Sequence, residues 1–320
     1  MNIEKLLKRM ADLDASDLHL KVGRKPFFRV KTVLQESAED DILTPQEIEN
    51  YAFSIMNEKQ KILFLEQMEM DLATESPETG RFRVNIFRQR GYVGIVMRRI
   101  KSTIPSFDQL GLPPVLAKIS DFPTGLILVA GPTGCGKSTT LAAMIEYINQ
   151  NRQALHIITI EDPIEFVYTD KNCIINQREV GLDTLSFHDA LKRVLREDPD
   201  IILIGELRDT ETFEAAIRAC ETGHLVFSTL HTVDTITTIN RILDFFPQQQ
   251  HDMVRKTLAY NLRATCCQKL LPRKDGTRMV PVCEVMVVTP IISRLIMENK
   301  MGKIPSAISS DKETGMQTFN

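Results

Sequence analysis

No apolar run in this chain of 320 residues approaches the roughly 18 that a membrane-spanning helix needs. The N-terminus offers no signal-peptide core either, because Glu4, Lys5, Lys8 and Arg9 interrupt its apolar positions. Those positions, Ile3, Leu6, Leu7 and Met10, recur at helical spacing and predict a surface helix with one apolar face. No pair among the six cysteines has C-x-x-C spacing, which argues against both a zinc site and a disulfide framework. These absences predict a cytosolic protein with reduced, mostly buried thiols and no direct membrane insertion. A basic excess is missing too. Lysine and arginine number 39 against 42 acids, the formal net charge is -3 and the pI is near 6.1. Nothing there suggests a nucleic-acid partner. The chain also lacks internal repeats and low-complexity stretches.

What is present suits a globular protein, with 43% apolar and 25% charged residues and a length that favours two domains. Residues 1–100 mix helical and strand-like patterns. Thr44-Pro45-Gln46-Glu47 is a capping box with proline at the first helical position, and it predicts a helix through Met56. "RFRVNIFRQRGYVGIVMRRI", residues 81–100, alternates apolar and polar residues about Gly91 and predicts two antiparallel strands. Residues 101–114 carry Pro105, Gly111, Pro113 and Pro114 and read as a linker. From 115 onward, apolar strands at 125–130, 156–161, 201–206 and 224–230 alternate with helices near 137–150, 186–197 and 210–221. Ser186 and Asp189 form an N-terminal cap for the second of these. Helical patterns follow at 234–245 and 251–271, then a strand at 280–288 after an Asp275-Gly276 turn. Such alternation predicts an α/β fold with a mostly parallel central sheet covered by helices.

"GPTGCGKST", Gly131 to Thr139, lies between a predicted strand and a predicted helix and satisfies G-x-x-x-x-G-K-[ST]. The backbone N–H groups of Gly131, Pro132-Thr133, Gly134, Cys135 and Gly136 can curl around an anion, except at Pro132, which has none. The helix N-terminus favours the same negative charge. Lys137 supplies a point charge for the β and γ phosphates, and Ser138 a hydroxyl for magnesium. The motif in this context predicts binding of ATP or GTP.

"DPDIILIGELRD", residues 198–209, has the form of the second acidic strand of a nucleotide hydrolase, but Gly205 stands where an aspartate is usual. Only Glu206 remains. Other strand ends can supply the missing acid, since ligands of parallel α/β sheets gather beyond the carboxyl ends of the strands. "IEDPIEF", residues 160–166, brings Glu161, Asp162 and Glu165 to that edge, and "GHLVFSTLHT" brings Thr229 and His231. Read alone, Glu161 and Asp162 also suit a solvated strand exit, and His231 a structural hydrogen-bonder. If the hairpin turn is centred on Arg90-Gly91, Arg83 and Arg98 face each other across two strands. Like charges so placed repel unless an anion lies near them, although a solvated basic edge that discourages strand pairing is the plainer alternative.

The phosphate loop, "IITIEDPIEF", "INQREVG", "LREDPDIILIGELRD" and "ETGHLVFSTLHT" together resemble the secretion ATPase superfamily of type IV pili and type II secretion. Within it, nearly the whole chain resembles the PilT/PilU retraction ATPases, and "NLRATCCQKLLPRKDGTR" and "GMQTFN" resemble PilU-like members. The resemblance implies a PAS-like α+β domain at 1–100, a linker at 101–114 and a RecA-like ATPase domain at 115–320 that ends short of the family's further helices. It implies a homohexameric, Mg2+-dependent ATP hydrolase at the cytoplasmic face of the inner membrane. Such motors drive pilus retraction and twitching motility on an inner-membrane platform protein, in company with a paralogous retraction ATPase. By the same resemblance Glu206 polarises the attacking water, Glu165 and Glu161 give acidic support, with Glu165 and Ser138 at the metal, and His231 belongs to the family's His box. Arg83 and Arg98 would reach the adjoining subunit's active site. An accessory subunit dependent on a catalytic paralogue and a pilus-assembly or type II secretion ATPase stay open as alternatives. The four-cysteine metal motif of pilus-extending relatives is missing, which favours retraction.

Overall fold

A computed structural model describes residues 3–76, 78–100, 102–274, 279–311 and 313–319. The chain divides into two units, Met1–Ser102 and Thr103–Asn320.

In the first unit the elements run α1 (Ile3–Asp12), β1 (Asp17–Leu20), β2 (Phe27–Val30), β3 (Val33–Glu36), α2 (Pro45–Ile55), α3 (Glu58–Gln67), β4 (Glu69–Ser76), β5 (Gly80–Gln89) and β6 (Tyr92–Arg99). The capping box closes as expected, with Thr44 N–H donating to Glu47 Oε2 at 2.9 Å and Glu47 N–H to Thr44 Oγ1 at 3.3 Å. The six strands found among the described residues pair antiparallel in the order β3-β2-β1-β6-β5-β4. Period-two alternation turns Leu18, Val84, Ile86 and Ile95 to one face, where Leu6 and Met10 of α1 and Ile48 of α2 join them in one core. Arg90 and Gly91, at φ 53° and 85°, make the tight turn between β5 and β6, a geometry that matches the twist of the strands.

That turn fixes Arg83 opposite Arg98. An anion for Arg98 lies in the same unit. Asp17 of β1 is paired with Arg98 from the other side, is only 3% exposed, and accepts from Arg98 Nε at 2.8 Å with Arg29 Nε 3.6 Å away. Burial pushes the Asp17 carboxyl up, but Arg98 and Ser16 outweigh it and hold it below the ordinary value. Arg83 makes no ion pair or side-chain hydrogen bond among the described residues. Replacing Arg98 with alanine should therefore cost the first unit about 1–2 kcal/mol near neutral pH, a charged hydrogen bond discounted for the arginine's exposure. A carboxyl lowered in the folded state stabilises above its unfolded value and loses that contribution as pH falls through its folded value. The gap between Arg98→Ala and the parent in urea denaturation should accordingly be widest at pH 7 and close in acid.

The second unit begins with α4 (Phe107–Leu110) and α5 (Val115–Ser120), followed by β7 (Gly125–Ala130), α6 (Lys137–Asn151), β8 (His156–Glu161), β9 (Ile174–Glu179) and α7 (Phe187–Val194). Then come β10 (Ile201–Ile204), α8 (Thr210–Glu221), β11 (Leu225–Leu230), α9 (Thr235–Leu243), α10 (His251–Asn261), β12 (Leu262–Pro272), β13 (Met279–Val287), α11 (Pro290–Met297) and α12 (Ile304–Ser310). Among the described residues seven strands form one sheet in the order β13-β12-β7-β11-β10-β8-β9, parallel except where β13 returns along β12. Side chains of β7 alternate between two cores. Leu126 and Leu128 pack with α8 and α9, Ile127 and Val129 with α5 and α6. Helices thus cover both faces, which explains why these strands read as continuous apolar runs.

Three readings change. The helix expected over 251–271 ends at Asn261, and β12 follows it into the sheet between β7 and β13. Leu262–Cys267 is almost wholly buried, so it carries no alternation by which a strand could be told from a helix. The edge strand β9 has no counterpart in the sequence reading, since Ile-Ile-Asn-Gln-Arg-Glu is too polar and unpatterned to signal one. Within residues 103–114, Phe107–Leu110 is helical with a Ser106 cap, and Leu112 joins the core beneath α6. The expected Asp275-Gly276 turn lies outside the described residues.

Candidate active site

Parallel pairing brings the carboxyl ends of β7, β11, β10 and β8 to one edge in that order. Beyond β7 the phosphate loop turns into α6, with Gly136 in the left-handed region at φ 91° as the helix cap. Lys137 is buried at 9% exposure. Its ammonium donates to the carbonyls of Gly131 at 2.9 Å and Pro132 at 3.2 Å and lies 3.4 Å from His231 Nδ1. Ser138 Oγ donates to Glu165 Oε1 at 3.0 Å. A hydroxyl and a carboxylate from β8's exit therefore meet at the helix N-terminus.

Gly205 has little room for a side chain. Its N–H donates to Ile160 O at 2.8 Å, and a Cβ on it would stand 3.3 Å from that carbonyl and 3.4 Å from the Phe187 ring. The exit of β10 is also pinned to β11, since Thr229 Oγ1 donates to Gly205 O at 2.7 Å. Glu206 follows directly. One of its oxygens is bound by Arg208, and the other lies 3.4 Å from His231 Nε2. Arg208 also donates to Asp162 Oδ2 at 3.3 Å, so its partners are in its own chain. Burial pushes the Glu206 carboxyl up, but Arg208 and then His231 outweigh it and hold it below the usual carboxylate range.

Glu161 behaves differently. It accepts from Thr159 Oγ1 at 2.6 Å and Gln177 Nε2 at 3.1 Å, and burial raises its carboxyl against those bonds. Geometry thus favours Glu165 over Glu161 beside Ser138. A magnesium ion fits this donor set, because a hydroxyl and one or two carboxylates are hard oxygen ligands. Among the described residues no group of three or more His, Cys, Asp or Glu could hold a metal by itself.

These groups line a cleft of about 440 Å3 in the second unit, which holds Lys137, Ser138, Glu161, Glu165, Glu206 and His231 together. Arg83 and Arg98 belong to the first unit and are not among them. A larger concavity of about 890 Å3 lies over the open sheet face of the first unit, around Phe27, Phe87 and Val96, but it has no phosphate loop. Volume alone does not mark the site. From sequence Arg208 reads mainly as a helix-surface or loop charge, although close enough to Glu206 to be a subunit contact, and Gln177 and Gln268 carry no role there. Gln268 carried a usable signal, as a lone amide after the apolar run of β12. All six cysteines are buried free thiols. No helix of the described residues is long and apolar enough to cross a membrane.

Residues 2–318 match the family described as Type II/IV secretion system protein. The chain is 47% identical over its whole length, and 92% of the relative's, to a Pseudomonas aeruginosa protein named type IV pilus retractation ATPase PilT. It is 42% identical, again over its whole length and 83% of the relative's, to the type IV pilus ATPase PilU of the same species. Over the full chain the PilT relative is thus nearer than the PilU one, although two segments resemble PilU-like members. A crystal structure titled as the pilus retraction motor PilT with bound ADP superposes with a TM-score of 0.92 at 45% identity, covering 97% of this chain and 90% of the other. The fold is therefore that of PilT, with an antiparallel N-terminal sheet followed by a mixed, mostly parallel one.

Proposed function

The chain belongs to the Type II/IV secretion system protein family, and on that premise we propose that it is an ATP-hydrolysing motor that drives retraction of a type IV pilus. One observation carries the reading: Lys137 and the Ser138–Glu165 pair stand beside the Glu206–His231 pair at a single sheet edge. ATP binds with its phosphates in the loop and Lys137 turned from the loop carbonyls to the β and γ oxygens. Ser138 and Glu165 would hold a magnesium ion, which would supply neutralisation of charge on the transferring group. Glu206 holds the attacking water and takes its proton while the bond from the γ phosphorus to the bridging oxygen breaks. Its two oxygens already face Arg208 and His231, so one of these side chains turns to the phosphate when Glu206 takes up the water. The missing aspartate at 205 is replaced by acids on β8's exit.

The working unit is a ring of six copies at the cytoplasmic face of the inner membrane, docked on a platform protein and running with or without a paralogous motor. Support for an assembly comes from Arg83, whose charge finds no partner among the described residues of its own chain. The purified protein should release phosphate from ATP when Mg2+ is supplied and fall to background on chelation with EDTA. Turnover without any paralogue present excludes a merely accessory subunit. Deletion of the gene should leave cells hyperpiliated and unable to twitch. Bald cells would instead indicate an assembly motor and overturn the retraction reading.

A further inference from the structure

β12 runs parallel to β7 with Cys267 beside Ala130, so Gln268 comes level with Gly131, the first residue of the phosphate loop. The contact is close. A Cβ on Gly131 would collide with the Gln268 carbonyl, and one on Gly136 would stand 2.9 Å from Gln268 Nε2. The side chain is 3% exposed and satisfied at both ends, with Nε2 donating to Cys135 O at 2.5 Å and Oε1 accepting from Thr140 Oγ1 at 2.7 Å. One carboxamide therefore ties the loop just before Gly136-Lys137 to the helix just after Ser138-Thr139. Those enclosed residues are the ones whose N–H groups and side chains meet the phosphates.

We propose that Gln268 is a positioning residue that holds the phosphate loop in its nucleotide-binding shape, an inference that rests on the nucleotide reading of that loop. Its amide is uniquely suited because the two ties have opposite polarity: the Cys135 carbonyl needs a donor and the Thr140 hydroxyl an acceptor. Glutamate has the same shape but donates only when protonated. The ionisable groups around it are Cys135 and Lys137 on the loop and Cys283, opposite Gln268 across the β12–β13 pairing.

The test is ADP affinity of the full chain with Gln268→Glu and Gln268→Leu, measured between pH 6 and 8.5. At pH 8.5 the glutamate variant should bind about tenfold more weakly than the parent, the effect of one buried tie left unmade. Acidification should recover most of that loss as the carboxyl protonates and donates to Cys135. Gln268→Leu should stay about tenfold weak at every pH, with KM for ATP raised far more than kcat is lowered. Recovery within one sample also serves as the folding control, since a misfolded chain would not regain affinity on acidification. Parental affinity of the glutamate variant at pH 8.5, or no recovery at pH 6, overturns the proposal while leaving the nucleotide reading intact. Failure of the parent itself to bind ADP removes both.

Discussion

Glu206→Gln should lower ATP turnover by roughly a hundred- to ten-thousandfold while leaving nucleotide affinity close to that of the parent. The side chain keeps its shape, and its one remaining oxygen can still accept from Arg208 while the amide nitrogen stands beside His231, so the cleft should not collapse. What is lost is the negative charge that takes the proton from water. The charge is well maintained in the parent, because Arg208 and His231 outweigh the effect of burial and hold the carboxyl below its ordinary range. A base so lowered stays ionised across pH 6–8, and its loss should show in kcat only below the usual carboxylate range. Phosphate release and binding of a fluorescent ADP analogue, measured on both proteins, check the two halves of this expectation. Turnover within about threefold of the parent would remove Glu206 from the chemistry and shift the search for a base to Glu165.

The parts of this site that could be read from sequence are those in which local pattern and chemistry coincide. The phosphate loop combines glycines, a lysine and a hydroxyl at fixed spacing between a strand and a helix, and the helix begins at Lys137 itself. Strand ends were legible for the same reason, since apolar runs closing on Glu161, Glu206 and His231 mark where a buried strand meets solvent. Contacts set by tertiary pairing were not legible. Asp17 stands 81 positions before Arg98, and no local pattern announces that β1 will pair beside β6. The arginine pair was visible, but the buried aspartate that partners Arg98 was not. Gln268 lies 128 positions beyond Thr140, on a strand whose complete burial made it read as a helix. For Arg208, only two positions from Glu206, the sequence shows the nearness but not the partners. Its role depends on the chain turning after β10 so that one guanidinium reaches both Glu206 and Asp162.

Once Asp17 accounts for Arg98, Arg83 becomes the stronger candidate for a charge supplied to a neighbouring copy. It is half-buried on β5, faces Arg98, and has no ion pair or side-chain hydrogen bond among the described residues. An isolated guanidinium held next to another is costly to keep unless the assembled state gives it an anion. Arg83→Ala should accordingly lower the turnover of the assembled protein by about a thousandfold, the range of an arginine finger acting in trans. ADP affinity should barely change and the first unit should be no less stable, in contrast to Arg98→Ala. Mixing separates this from any role inside one chain. Arg83→Ala copies retain Glu206, and Glu206→Gln copies retain Arg83. In an equal mixture about a quarter of the junctions in a randomly assembled ring combine an intact site with an intact arginine. Two nearly inactive preparations should therefore regain measurable turnover when disassembled and reassembled together. Activity that stays at the sum of the separate preparations would place Arg83 on a solvated sheet face, serving only to keep that face from pairing with another.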